Sequence, residues 1–442
     1  MKNSIFLITI DCLRSDYVTE EVMPFLKSLA DQGTMCMHFF SNAPFTAPTM
    51  PAILNSQYPL DHPNCFPLPE QETNIARVFQ KKGYTTIGFT TSIYLTKYFH
   101  CNYGFEHFFD VMKIKKTSIY HLKHTIASLL WKWEWLYNLA EKIYFRFIHK
   151  KIKKKVKIPY TKGEKVIQDN LAFLEKYDEK NKIFNWIHFM DAHSPRNPPE
   201  AYLKKFKGTL GKEGEQKSVE EDIRWYKASL HYIDNLLKQY MTRIQQKFPE
   251  AVFFITADHG EAFNEHKGIR SHPSYLYNEL LKVPGILVGK DIAQRKISFL
   301  CSSVDIAPTL WNIAGISFQD QKIRGQNILT KKEDKPLIAE SIHTKNRGAT
   351  INATSMDEER KGATATYKIY AVQDKKRKII YDKINNRFEY YDLMKDPGEQ
   401  QCLKYSDTFK ELKKIIDDRR EKRIEKKKEE DRIQEAIADL DL

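Results

Sequence analysis

The sequence has no CxxC pair and no cysteine spacing suited to a metal cluster or a disulfide framework. Its six cysteines stand alone at positions 12, 36, 65, 101, 301 and 402. Isolated thiols suit a reducing compartment, so a cytoplasmic protein is expected. Long apolar runs are also missing. The opening MKNSIFLITIDCLRSD turns polar at Asp11 and Arg14, too early for a spanning helix and without a small-residue cleavage site, so it reads as a buried first strand. Internal repeats are absent too. What is present is a globular composition, 41% hydrophobic and 12% aromatic over 442 residues, enough to bury a large core.

The formal net charge of +14 would suit a polyanion, an anionic membrane surface or an anionic substrate, and its distribution decides among them. Much of the excess is local, in KKIKKKVK at 150–157. Upstream lies SLLWKWEWLYNLAEKIYFRF, in which Trp131, Trp133, Trp135 and Tyr137 mix with charged neighbours. This insert, about 113–160, has two open readings: a helical hairpin packed on the main domain, or a peripheral contact with an anionic membrane, on the inner membrane face. The basic run matches no nucleic-acid-binding motif, so no nucleic acid is expected. The final residues alternate basic and acidic blocks and read as a solvated helix.

Apolar runs at Ile5 to Ile10, Thr85 to Phe89, Phe184 to Phe189, Ala251 to Thr256 and Gly285 to Val288 read as buried strands. Helical patterns lie between them, at Met23 to Gln32, Glu72 to Lys82, Gly163 to Tyr177 and Val219 to Lys247. The alternation predicts an α/β fold with a mainly parallel central sheet and helices on both faces. Short segments from Leu337 to Leu393 predict a small antiparallel C-terminal sheet. The expected units are a catalytic α/β domain over 1–330, a C-terminal subdomain over 331–405 and a charged helical tail over 406–442.

Ligands of such sheets bind at the carboxyl ends of the strands. Asp11 closes the first strand, Asp191 and His193 follow the Phe184 strand, and Asp258 and His259 follow the Ala251 strand. One strand-end aspartate is an ordinary cap or turn residue. Three polar clusters on one rim point to a site. The segment NAPFTAPTMPAILNSQYP places Thr46 just before a helix expected to start near Pro48, so that a helix N-terminus, which favours a bound anion, faces the hydroxyl. A threonine hydroxyl attacks at neutral pH only if a base or metal activates it. Asp11, Asp258 and His259 supply oxygen and imidazole ligands for a cation, while Thr46 taken alone also fits a simple helix cap.

Over nearly its whole length the chain resembles the sulfatase family of the alkaline phosphatase superfamily. The resemblance rests on ITIDCLRSDY, APFTAPTMPAILNSQYP, HFMDAHSP, ITADHGEAFNEH with SHPSYLYNELLKVP, SSVDIAPTLWNIAGI and YYDLMKDPGEQ, in that order. It implies that Asp11, Asp258 and His259 bind one divalent metal ion (Ca²⁺, Mg²⁺, Mn²⁺ or Zn²⁺) and that Thr46, itself bound to the metal, is the nucleophile. It implies further that His193 contacts the transferred group or protonates the leaving oxygen, and that His272 binds the oxygens of an anionic ester substrate. Asp191 would serve a second metal or the substrate, the second metal being the less favoured.

The departures bear on chemistry. Family members carry Cys or Ser, converted to formylglycine, in C/S-x-P-x-R; here the segment is TAPTM, with Thr46 and Met50 in place of the modifiable residue and the arginine. Cys12 stands where a second carboxylate is usual, and TTSIY at 90–94 replaces a Lys-x-His pair. Threonine cannot become formylglycine, which favours hydrolysis or transfer of a phosphate ester, diester or phosphonate ester. Sulfuric ester hydrolysis and an inactive membrane-associated scaffold are the alternatives.

Overall fold

A computed structural model describes residues 4–61, 68, 73–110, 161–208, 218–266, 268–343, 367–383 and 386–421. The insert at 113–160, residues 209–217 and the tail beyond residue 421 lie outside the described residues. Among the described residues no helix is long and apolar enough to cross a membrane.

The central sheet has eight strands: β1 (Ile5–Ile10), β2 (Thr34–Phe40), β3 (Thr85–Phe89), β4 (His107–Phe109), β5 (Ile183–Phe189), β6 (Val252–Thr256), and, after the two-stranded ribbon β7 (Ala262–Phe263) and β8 (Arg270–Ser271), β9 (Gly285–Gly289) and β10 (Arg295–Ser302). They lie in the order β10-β2-β9-β6-β1-β5-β3-β4. All pairs are parallel except those of β9 with β2 and β6. Every residue of β1, β5 and β6 is buried, which requires cover on both faces of the sheet. Two groups of helices provide it: α1 (Pro24–Gln32), α4 (Gly163–Leu174), α5 (Glu200–Lys205) and α6 (Val219–Lys247) pack together, as do α2 (Thr46–Asn55), α3 (Ile75–Lys81) and α8 (Ile306–Ile313). A short α7 (Asn278–Leu281) precedes β9.

Strands β2, β4 and β10 were not among the runs expected from the sequence. β10 is an outer strand whose Arg295 and Lys296 face solvent, and β2 mixes buried and exposed positions, so neither carries the unbroken apolar run of a central strand. Helix α3 starts at Ile75, three residues later than expected from Glu72, because the Asn74 side chain accepts the N–H groups of Ala76 and Arg77 at 3.0 and 3.3 Å.

The C-terminal sheet is antiparallel, in the order of β11 (Leu337–His343), β12 (Tyr367–Gln373), β13 (Arg377–Asp382) and β14 (Arg387–Asp392). One of its faces packs on Phe40, Leu276 and Leu281 of the main sheet and its loops. The other receives Leu412 and Ile416 from the helix at 410–421. Arg419 fastens that helix by pairing with Glu340 at 2.7 Å and Asp61 at 2.8 Å.

Candidate active site

The topology makes β6, β1 and β5 neighbours at the centre of the sheet, and their carboxyl ends carry the polar clusters. The Asp11 N–H donates to the Phe189 carbonyl at 2.8 Å, which ties the end of β1 to the end of β5. Beyond β6, the Asp258 Oδ1 accepts the His259 N–H at 2.9 Å. The His259 Nδ1 faces the Gly260 carbonyl at 2.8 Å. A carbonyl only accepts, so Nδ1 carries a proton, and in the neutral ring Nε2 presents its lone pair. Gly260 permits this turn: a Cβ there would lie 2.1 Å from the Glu279 carbonyl oxygen.

Thr46 is the first residue of α2, preceded by an extended Phe45. The helix therefore begins at Thr46 and not near Pro48. Pro48 still falls in the first turn, where its missing N–H has no helical partner to lose. The Thr46 hydroxyl donates to Asp11 Oδ2 at 3.1 Å and lies 3.3 Å from His259 Nε2. The loop before it is held from two sides. Ser41 Oγ donates to the Asp258 carbonyl, Asn42 Nδ2 donates to the Ile338 carbonyl at 2.7 Å, and Asn42 Oδ1 accepts the Val304 N–H at 3.1 Å. Strand β11 of the C-terminal sheet thus helps to position the loop that leads into Thr46.

Two groups of potential metal ligands lie here among the described residues, Asp11 with His188 and Asp258, and Cys12 with His259 and His272; Asp11, Asp258 and His259, drawn from both, would suit one divalent cation. His259 Nε2 lies 3.7 Å from Asp11 Oδ1 and 3.6 Å from Asp258 Oδ2. Donors held about 2.0–2.2 Å from one ion sit roughly 3–4 Å from each other, and the spacings here fall in that window. Asp11 and Asp258 are fully buried, and Asp258 Oδ2 has no hydrogen-bond partner, a costly state for a carboxylate without a cation. Burial opposes charge on Asp11, but the imidazoles of His193, His188 and His259 outweigh it and hold its pKa well below the carboxylate range. Burial, and then the charge of Asp11, pushes Asp258 upward, a repulsion that a shared cation would relieve.

Around this cluster the imidazoles of His193, His272 and His259 follow one another, with ring centroids 4.8 Å (His193 to His272) and 4.7 Å (His272 to His259) apart. The His272 Nδ1 lies 3.0 Å from Glu261 Oε2, and the other Glu261 oxygen pairs with Arg196 at 2.6 Å. Arg196 also binds Asp222 and the Ala192 carbonyl. Sequence reasoning missed this Glu261 and Arg196 bracket, although Glu261 stands two residues past His259 in DHGE. Cys12 occupies the left-handed region at φ 62°. Its thiol donates to Asp11 Oδ1 at 2.8 Å, and its carbonyl accepts the Tyr226 hydroxyl at 2.6 Å. Burial, reinforced by Asp11, keeps that thiol protonated.

Asp191 faces elsewhere. Its Oδ2 accepts the Gly163 N–H at 2.9 Å at the start of α4, and it belongs to neither group of potential metal ligands found among the described residues. Desolvation pushes its pKa up to about 7. His188, in the middle of β5, was not singled out from the sequence, yet its Nε2 lies 3.5 Å from Asp11 Oδ2. A polar residue inside an otherwise apolar central strand is the signal that could have found it.

Comparison with known proteins agrees with this architecture. The Sulfatase family profile matches residues 5–316, and the chain belongs to the sulfatase family of ester hydrolases. It is 27% identical over 221 residues to a Delta 4,5-hexuronate-2-O-sulfatase of Bacteroides thetaiotaomicron, covering 45% of this chain and 42% of that protein. It is 25% identical over 287 residues to an arylsulfatase of Clostridium perfringens, covering 57% and 56%. The chain therefore spans about half the length of these relatives. Among solved structures, a phosphonate monoester hydrolase of Agrobacterium radiobacter superposes with a TM-score of 0.68 at 14% identity, covering 96% of each chain. An alkaline phosphatase superfamily protein of Vibrio parahaemolyticus superposes with a TM-score of 0.59 at 14% identity, over 92% of this chain and 83% of that one. At these identities the likeness is one of fold.

Proposed function

We propose that the chain hydrolyses or transfers a phosphate ester, diester or phosphonate ester through a covalent intermediate on Thr46. The observation that carries this reading is the Thr46 hydroxyl, set at the N-terminus of α2 within 3.1 Å of Asp11 and 3.3 Å of His259. Asp11, Asp258, His259 and the Thr46 oxygen would hold one divalent cation. When bound, such an ion neutralises charge on the ester and lowers the pKa of the hydroxyl.

The chain's own groups supply the rest. Asp11 Oδ2 holds the Thr46 hydroxyl proton and orients the oxygen for attack. As the Thr46 oxygen bonds to phosphorus its proton passes to Asp11 Oδ2, the bond from phosphorus to the leaving oxygen breaks, and His193 delivers a proton to that leaving oxygen. His272, braced by Glu261, and the free N–H groups of the first turn of α2 bind the equatorial oxygens. Water then releases the phosphothreonine, or an acceptor alcohol does so in a transferase. A sulfated threonine lacks the elimination route open to a sulfated formylglycine hydrate, and threonine cannot become formylglycine. A second reading, sulfuric ester hydrolysis, is favoured by the relatives described as a hexuronate 2-O-sulfatase and an arylsulfatase.

Turnover of nitrophenyl phosphate, bis-nitrophenyl phosphate, nitrophenyl phosphonate and nitrophenyl sulfate by the metal-stripped protein, reloaded with each divalent ion, tests the proposal. Phosphorus-ester turnover should require metal and fall on the order of 10³-fold or more in Thr46→Ala, with Asp258→Asn losing metal dependence. Sulfate turnover that requires Thr46 would establish the second reading instead.

A further inference from the structure

Strand β5 carries two buried polar side chains in an otherwise apolar run, and only one of them is fully partnered. Asn185 Oδ1 accepts from Asn170 at 2.9 Å, and Asn185 Nδ2 donates to the Tyr240 hydroxyl at 3.0 Å. His188 is satisfied on one side alone. Its Nδ1 lies 2.8 Å from Thr9 Oγ1, while Nε2, fully buried, has no hydrogen-bond partner. Leaving a polar atom of a buried ring unpaired costs on the order of 1–3 kcal/mol, so the strand is arranged for something that meets that atom.

The register shows where Nε2 points. Thr9 and His188 are paired across β1 and β5, and Asp11 lies two residues beyond Thr9, on the same face. His188 Nε2 is 3.5 Å from Asp11 Oδ2. Ligand atoms of Asp11, His188 and Asp258 lie within 4.8 Å of one another, and all three residues are buried. The surroundings of Thr9 set the tautomer. Its oxygen already accepts the Trp186 Nε1–H at 2.9 Å, and its hydroxyl has the Ile187 carbonyl at 3.4 Å as an acceptor. The oxygen can then accept a second hydrogen bond from His188 Nδ1, so that in the neutral ring Nε2 faces the two carboxylates with an unshared lone pair. No donor among the described residues meets His188 Nε2 or Asp258 Oδ2, and a lone pair beside two carboxylates suits a cation.

We propose that His188 Nε2 is a further ligand of the divalent cation, so that the centre has two imidazole nitrogens, two carboxylates and the Thr46 oxygen. This rests on the reading that Asp11, Asp258, His259 and Thr46 hold such an ion. Its consequence is selectivity. Ca²⁺ takes oxygen ligands, whereas imidazole suits Mn²⁺ and Zn²⁺ better. The centre discriminates against Ca²⁺ in favour of a transition ion, and His188 compensates for the carboxylate that Cys12 fails to provide.

The test is Mn²⁺ titration of the metal-free full chain, followed by pulsed electron paramagnetic resonance to count coordinated imidazoles. The wild type should show two, and His188→Gln and His259→Gln one each. His188→Gln should weaken Mn²⁺ binding roughly 10- to 100-fold and Ca²⁺ binding much less, because a glutamine oxygen can serve Ca²⁺. A single imidazole in the wild type, lost in His259→Gln, would overturn the assignment of His188 while leaving the metal centre intact. No Mn²⁺ binding, or binding that Asp258→Asn leaves unchanged, would overturn the centre itself. The wild-type count decides the question even if His188→Gln fails to fold.

Discussion

Replacing Glu261 by glutamine removes one buried negative charge while keeping the shape of the side chain. Glu261 is 1% exposed and lies between the Arg196 guanidinium at 2.6 Å and the His272 ring at 3.0 Å. Burial opposes its ionisation, but Arg196 and then His272 outweigh it and bring the carboxyl from 4.5 down to about 2. At 1.36 kcal/mol per unit, that depression corresponds to about 3 kcal/mol of stability. A second route gives a similar size, since breaking a buried ion pair costs about 3–5 kcal/mol and Arg196 retains Asp222 here. Because the folded pKa is depressed, the contribution is complete above about 4.5 and is lost as pH falls towards 2. Urea unfolding of wild type and Glu261→Gln should therefore differ by about 3 kcal/mol at pH 7, and the gap should narrow as pH falls below about 4.5. A gap under about 1 kcal/mol at pH 7, or one that does not change with pH, would refute the reasoning. Turnover should fall as well, through weaker orientation of His272.

Asp191 behaves in the opposite sense. Its carboxyl is raised from 3.8 to about 7 by burial, so ionisation burdens the fold, and wild-type stability should decline between about pH 4 and pH 7 by up to about 4 kcal/mol. Asp191→Asn should flatten that decline in urea unfolding measured at several pH values, and an unchanged slope would count against it. Arg419→Ala should release the helix at 410–421 by leaving the buried Glu340 carboxylate without its guanidinium. A loss of about 2–3 kcal/mol is expected, below the full cost of breaking a buried pair because Arg419 is partly exposed. Faster limited proteolysis near the C-terminus with Mn²⁺ binding retained is the expected readout, and wild-type protease resistance would contradict it.

The central sheet was legible because β1, β5 and β6 are buried along their whole length and therefore read as unbroken apolar runs. The polar residues that stop those runs, Asp11, Asp191 and Asp258, follow within two residues of the strand ends, with His259 and His193 just beyond. Helix α6 was legible from end to end because 29 residues of amphipathic spacing begin at a Ser218 cap. Thr46 could be singled out because a helix start and a family motif coincide there. Local patterning and chain-neighbour chemistry determine all of these, so the sequence alone suffices.

Tertiary structure decided what depends on contacts between distant segments. The strand order puts β6, β1 and β5 side by side, and only that adjacency gathers three separate strand ends around one point. His188 becomes notable only once its register with Thr9 aims Nε2 at Asp11. Asp191 shares its strand end with His193, but the approach of α4 gives its carboxylate to Gly163 and takes it away from the cluster. Glu261 acquires its role from Arg196, 65 residues earlier in the chain. Sequence periodicity reports which side of an element is buried, whereas the partner that meets each polar atom is fixed by packing between elements, and the chemistry of this site lies in those partners.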